Sequence, residues 1–284
     1  MNLSLATSKA DTIIKNLQIR HASEINIEEI SMERGAYVHE RNIDGAEAWL
    51  VRKGSNAIIT VNSKLHEHGR KRFAIAHELG HFELHNDSQF IICSDEDMHV
   101  WNRSQSQEIE ANEFASCILM PKNIFSLYIK KEIPNMDRVS EVSGEFRTTL
   151  TAAAIRYAQL STEPCAVAVS TNCTLRWYKK SESFGFHLKV GEKLSSDTYA
   201  FDSFAGKELP KKPRSVPATA WIAADIDPDG EIIEHSVALK SYGVVLSLLW
   251  VDKEIRFRFQ KRDDDEPEFD MTNKFTPDGK RWQW

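Results

Sequence analysis

The sequence predicts an α+β protein, helix-rich in its N-terminal part and strand-rich in its C-terminal part. Three observations predict it. Apolar residues recur at helical spacing in several segments between residues 8 and 160. A hairpin-like stretch, "AEAWLVRKGSNAIITVNS", supplies a small sheet among them. From Glu163 onward, β-branched and aromatic residues alternate or run together. We expect three regions: residues 1–130, a helical segment at 131–162, and an α+β or mostly β domain at 163–284.

The elements follow in order. Residues 8–20 read as a helix with Ile13, Ile14, Leu17 and Ile19 on its apolar face. "INIEEISMERGAYV" pairs a short helix with a strand. The hairpin turns at Lys53-Gly54-Ser55-Asn56, and its second strand is Ala57 to Val61. A helix runs from about Gly69 to Leu84, with Phe73, Ile75, Ala76, Leu79 and Phe82 as its apolar positions. Residues 86–104 are polar and read as a loop. A second strong helix spans about Gln105 to Leu119 and stops at Met120-Pro121, because proline cannot continue it. A short helix follows at 122–131. Residues 136–160 read as two helices joined near Gly144. Beyond them, "CAVAVST", "LRWYKKS", "FGFHLKV", "TAWIAADI", "EIIEHSVAL", "GVVLSLLWV" and "EIRFRFQK" read as strands, and the charged tail as a surface segment.

Of 284 residues, 41% are hydrophobic and 27% charged, which supports a buried core and excludes global disorder. The formal charge of −6 gives no general attraction to nucleic acid. No segment reaches the roughly 18 apolar residues of a membrane span, and the N-terminus lacks a secretory pattern. Cys93, Cys117, Cys165 and Cys173 form no C-x-x-C pair. They read as free thiols of a cytoplasmic protein.

The chemistry centres on "RFAIAHELGHFELH", Arg72 to His85. His77 and His81 are four residues apart, so a helix puts both imidazoles on one face, within reach of one ion. Glu78 is displaced sideways, where it can hold a water and accept its proton. That combination serves hydrolytic zinc. His85 is excluded as a third ligand. It lies roughly 12 Å from His77 along a continuous helix, too far to share a zinc bound at about 2 Å. It reads instead as a helix-end residue beside the C-terminal dipole.

The third ligand must come from elsewhere, and the helix "SQEIEANEFASCILMP" offers Glu108 and Glu110. Glu108 shares a face with Ala111, Asn112, Ala115 and Leu119, a surface small enough to pack close to another helix. Glu110 projects about 200° away, so the two cannot ligate together. Asn112 is placed to support a ligand. Glu113 reads as a solvated charge. Tyr128, His99 and Arg72 are candidates to stabilise an oxyanion. The strand "NAIITVNS" is a candidate edge for holding an extended substrate.

The two segments "RFAIAHELGHFELH" and "EIEANEFASCILMP" together resemble the ImmA/IrrE family of bacterial and phage metallopeptidases. The resemblance covers about residues 50–125, and more loosely 126–160. It implies a compact gluzincin-like (zincin-like) domain: a small sheet, the His-Glu-x-x-His helix and a helix bearing the glutamate ligand. It implies zinc held by His77, His81 and Glu108, with Glu78 catalytic and Glu110 at a neighbouring family glutamate. It further implies a cytoplasmic endopeptidase whose substrate is a helix-turn-helix repressor, so that cleavage releases stress-response or mobile-element genes. Two other classes stand against this: a non-catalytic regulator that binds a repressor, and a DNA-binding transcription regulator. Residues 136–160 have a helix-turn-helix rhythm, but Arg147 and Arg156 are too few basic residues for a DNA reader.

Overall fold

The computed structural model describes residues 4–85, 105–129, 133–223 and 230–251. The loop expected at 86–104, with Cys93 and His99, and the strand expected at "EIRFRFQK" lie outside them. The chain is mixed α+β and divides into two compact units. Among the described residues the first draws on those as far as Phe125 and on Gly144–Thr149, the second on Ser126–Ser143 and on those from Leu150 onward.

The first unit opens with α1 (Leu5–Asn16) and α2 (Ile27–Glu33), capped by the Ser4 and Asn26 side chains. A three-stranded sheet follows: β1 (Ala36–Arg41), β2 (Ala48–Lys53) and β3 (Asn56–Asn62). Its order is β1-β3-β2, with β1 parallel and β2 antiparallel to β3. The edge role expected of "NAIITVNS" is therefore wrong. β3 is the central strand, and its backbone groups pair on both sides. Alternation along a strand reports which side chains are buried, not which neighbours pair with it.

α3 (His68–Leu84) is buried on nearly every side, from Phe73 through Phe82. A helix buried all round sits between layers rather than on the surface. β2 lies along it, tied by the Glu47–Arg70 ion pair at one end. At the other end Arg52 donates to the Phe82 carbonyl and lies 4.5 Å from the Phe82 ring centre. Glu83 accepts ion pairs from Lys9 of α1 and from Arg34 at the end of α2, at 3.1 and 2.6 Å.

α4 (Gln105–Leu119) packs against both α3 and α1. Gly80 sets its distance from α3. A Cβ at Gly80 would lie 3.1 Å from Ala111 Cα and 3.2 Å from Ala111 O, both backbone atoms of α4. Glu113 of α4 is not the solvated charge expected of it. Its carboxylate accepts from Ser4 Oγ at 2.6 Å and Thr7 Oγ1 at 2.8 Å, joining α4 to the first turn of α1.

α5 (Lys122–Tyr128), α6 (Met136–Phe146) and α7 (Leu150–Leu160) follow. The break between α6 and α7 falls at Arg147, not at Gly144, which stays within α6. Arg147 takes the left-handed conformation at φ 52°. Its guanidinium donates to the carbonyls of Ser23 and Ile25, so local strain is offset by tertiary bonds that periodicity cannot reveal. Beside it, a Cβ on Gly69 would fall 2.6 Å from Thr148 C, so this turn lies directly on the start of α3.

In the second unit, β4 (Cys165–Thr171), β5 (Thr174–Lys180), α8 (Tyr199–Phe204), β6 (Arg214–Pro217), β7 (Glu231–Leu239) and β8 (Val244–Trp250) build a five-stranded antiparallel sheet with one short helix. The strand order is β5-β4-β8-β7-β6. α7 packs on β4 and β5, and α8 on β7 and β8. Residues 184–190 alternate in burial, as expected of a strand, yet make only the isolated Leu188–Ile222 bridge. Phe184, Phe186 and Leu188 join Trp221 and Ile222 in the core of this unit. The stretch expected as a strand at "TAWIAADI" opens with a 3-10 turn at Ala218–Ala220, while α8 and β6 had no clear sequence signal.

Glu234 is buried in this unit. It accepts from the backbone N–H groups of Tyr199 and Ala200, from Trp221 Nε1 at 2.9 Å and from Ser236 Oγ at 2.6 Å. Burial raises its carboxyl above the ordinary value, against the opposing pull of these four donors.

Two outcomes follow. Gly80→Val should lower stability by about 2 kcal/mol in urea unfolding, because the overlap with the α4 backbone outweighs the gain in helix propensity. Glu234→Ala should cost about 3 kcal/mol by leaving its donors unpaired. The raised Glu234 carboxyl stabilises the fold fully below the ordinary carboxylate range. That contribution declines as pH rises through the raised value. Glu234→Gln should therefore show a flatter stability profile than the wild type across this range.

Candidate metal centre

α3 brings His77 and His81 onto one face, one turn apart, and their Nε2 atoms lie 3.0 Å from each other. Glu108 enters from the first turn of α4. Its carboxylate oxygens lie 3.2 Å from His77 Nε2 and 3.3 Å from His81 Nε2. One ligand atom from each residue falls within 4.8 Å of the other two, the single group of this kind among the described residues. The first turn of α4 also suits Glu108 electrostatically, because a helix N-terminus favours a negative charge.

The remaining ring nitrogens are engaged. His77 Nδ1 lies 2.9 Å from Asn112 Oδ1. An amide oxygen only accepts, so His77 carries its proton on Nδ1 and leaves a bare lone pair on Nε2. Asn112 is buried, and its Nδ2 has no partner among the described residues. His81 Nδ1 lies 3.0 Å from His85 Nδ1, and His85 Nε2 lies 2.9 Å from a Glu110 oxygen. Glu110 thus points to His85, not into the group that holds Glu108. Glu78 lies on α3 beside His77 and is buried.

This donor set fits a cation. Two imidazole lone pairs and a carboxylate converge on one point, which is repulsive unless positive charge sits among them. Burial works to raise the Glu108 carboxyl, and positive charge beside it, on protonated imidazoles or on an ion in place of those protons, is what holds it below the usual carboxylate range. Nitrogen and oxygen donors in a two-His, one-carboxylate set can bind zinc while leaving a position open.

The oxyanion candidates separate. Arg72 is 1% exposed and donates to the Ile25 carbonyl, and burial lowers its pKa to about 10. It is a structural residue of α3. Tyr128 belongs to the second unit, where its carbonyl accepts from Arg138. His85 is the residue that sequence reasoning undervalued. The spacing that joins His77 to His81 also joins His81 to His85. It rules out a shared ion with His77 but places His85 against His81.

Cys117, Cys165 and Cys173 are free thiols, and no helix among the described residues is long and apolar enough to cross a membrane. No curated protein matches the chain in sequence. A solved structure, a Mycobacterium tuberculosis transcriptional regulator, shares the fold at TM-score 0.56 and 14% identity, over 94% of each chain. Residues 23–157 match the IrrE N-terminal-like domain, a stretch that spans α3, α4 and every residue of the convergent group. Over those residues this chain carries a domain of the Peptidase_M78 (IrrE N-terminal-like) family.

Proposed function

We propose that the chain is a zinc-dependent endopeptidase of the cytoplasm that cleaves a protein partner, a repressor with a helix-turn-helix domain. The observation that carries this reading is the convergence of His77 Nε2, His81 Nε2 and a Glu108 oxygen within 4.8 Å, with Glu78 beside them on α3. In this reading residues 1–130 form the peptidase domain. Residues 131–162 are a helical segment for packing or substrate docking, and 163–284 support or regulate the peptidase.

His77, His81 and Glu108 hold the ion, and Asn112 orients His77 through its Nδ1–H. When bound, zinc polarises the scissile carbonyl and lowers the pKa of a water molecule. Glu78 accepts a proton from that water and delivers it to the leaving amine. β2 is an edge strand among the described residues and lies along α3. Its outer edge can hold an extended substrate by strand addition.

The solved neighbour is named a transcriptional regulator, and the second reading is a regulator that binds DNA directly. Net charge counts against it, as does the use of the helical arginines. Arg156 is buried and Arg147 is bonded to backbone carbonyls. A salt-dependent DNA titration of the purified chain should show no specific complex.

Metal analysis of the purified chain should find one zinc per chain. Glu108→Ala should lose most of it, and Glu110→Ala should lose far less. The reverse result would move the ligand to Glu110. Glu78→Gln should keep its zinc while cleavage of a co-incubated repressor, read by mass spectrometry, falls by about a thousandfold or more. Persistent cleavage by that variant would overturn the assigned base.

A further inference from the structure

The two histidines of the candidate centre are held by different means. His77 Nδ1 meets a neutral amide, Asn112, at 2.9 Å. His81 Nδ1 meets a third imidazole, His85, which in turn meets a carboxylate, Glu110. His85 closes α3 as its C-terminal cap residue and is buried, whereas the Glu110 side chain is 47% exposed.

In the metal-binding form, with neutral imidazoles, proton placement along this chain of bonds follows from its acceptors. Glu110 as a carboxylate only accepts, so His85 carries its proton on Nε2. A neutral His85 then has a bare lone pair on Nδ1, and that atom faces His81 Nδ1 at 3.0 Å. Two bare nitrogens at that distance repel when nothing lies between them, so His81 carries its proton on Nδ1 and donates. Its Nε2 is then bare toward His77 Nε2 and Glu108, an arrangement that a cation among the three would hold together. Reversing either bond would protonate the nitrogen that must bind metal.

We propose that Glu110 and His85 are positioning residues, a two-bond relay that fixes the tautomer and ring orientation of His81 for metal binding. This rests on the reading of His77, His81 and Glu108 as metal ligands. Ligating histidines commonly donate their second N–H to a carboxylate, which raises their basicity. Here an imidazole is inserted between the two, because Glu110 projects from α4 toward the end of α3 rather than toward His81. The relay carries the effect of a half-exposed charge to a buried ligand without placing that charge beside the ion.

The test measures zinc affinity of the whole chain by competition with a chelator, with folding checked by circular dichroism. His85→Phe keeps an aromatic ring and removes the acceptor, and should weaken zinc binding about tenfold to a hundredfold. His85→Gln restores a side-chain carbonyl of the kind Asn112 offers His77, and should recover much of that loss. Long-range proton–nitrogen correlation spectra of the zinc-loaded wild type should show His81 protonated at Nδ1. Affinity for His85→Phe within about twofold of wild type, or a Gln variant no better than Phe, overturns the relay. If His85→Phe does not fold, Glu110→Ala decides, because an exposed carboxylate can be removed without disturbing the core. A loss of about threefold or more supports the relay, and a smaller loss overturns it. A wild-type chain that takes up no zinc overturns the metal centre itself and the relay with it.

Discussion

The close approach of α3 and α4 is the constraint on which the rest of the first unit depends. A cation site of this kind needs donors from two helices whose backbones almost touch. Gly80 supplies that contact by having no side chain, and Ala111 receives it on α4. The pair lies one residue before His81 and three residues after Glu108. The contact and the convergent group are thus neighbours in space, and the helix spacing fixes the reach of Glu108. Ala74 and Ala76 of α3 and Ala115 of α4 are also buried. Anything that lengthened the spacing would leave two histidines and a carboxylate in one region without a common focus.

Around that contact the fold spends its polar side chains on holding α3 and α4 in register. Glu83 ties α3 to α1 and α2, while Glu113 ties α4 back to the start of α1. α1 thus touches both helices of the centre through carboxylates outside it. Buried acids are costly unless paired, and these are paired. Glu108 differs from them, because its partners are two imidazoles rather than an ammonium or guanidinium group. Among the described residues this is the group where a bound cation can supply the compensating charge.

How much of this was legible depends on how local each signal was. The helix pair and the His77–His81 face could be read directly, because four-residue spacing fixes a shared face in any helix. The separation of Glu108 from Glu110 was legible for the same reason. The position of β3 within its sheet was not, since alternation is indifferent to pairing order. Arg147 broke the helical segment where no glycine or proline marks it, because two carbonyls distant in sequence hold it there. Glu113 and Glu110 look alike as exposed helix charges, and only the neighbouring helices distinguish them. Phe184, Phe186 and Leu188 alternate like a strand because they pack like one, without the ladder.

The turn at Arg147–Thr149 has a consequence for how the chain can be divided. It belongs to the first unit, although the residues on both sides of it belong to the second. Thr148 lies against Gly69, and Arg147 donates to the carbonyl of Ile25, which also accepts from Arg72 of α3. The contacts that cover the start of α3 are thus supplied from far along the chain, and a fragment that stopped after α4 would lack them. The first unit is discontinuous in sequence, so no single cleavage of the chain releases it whole.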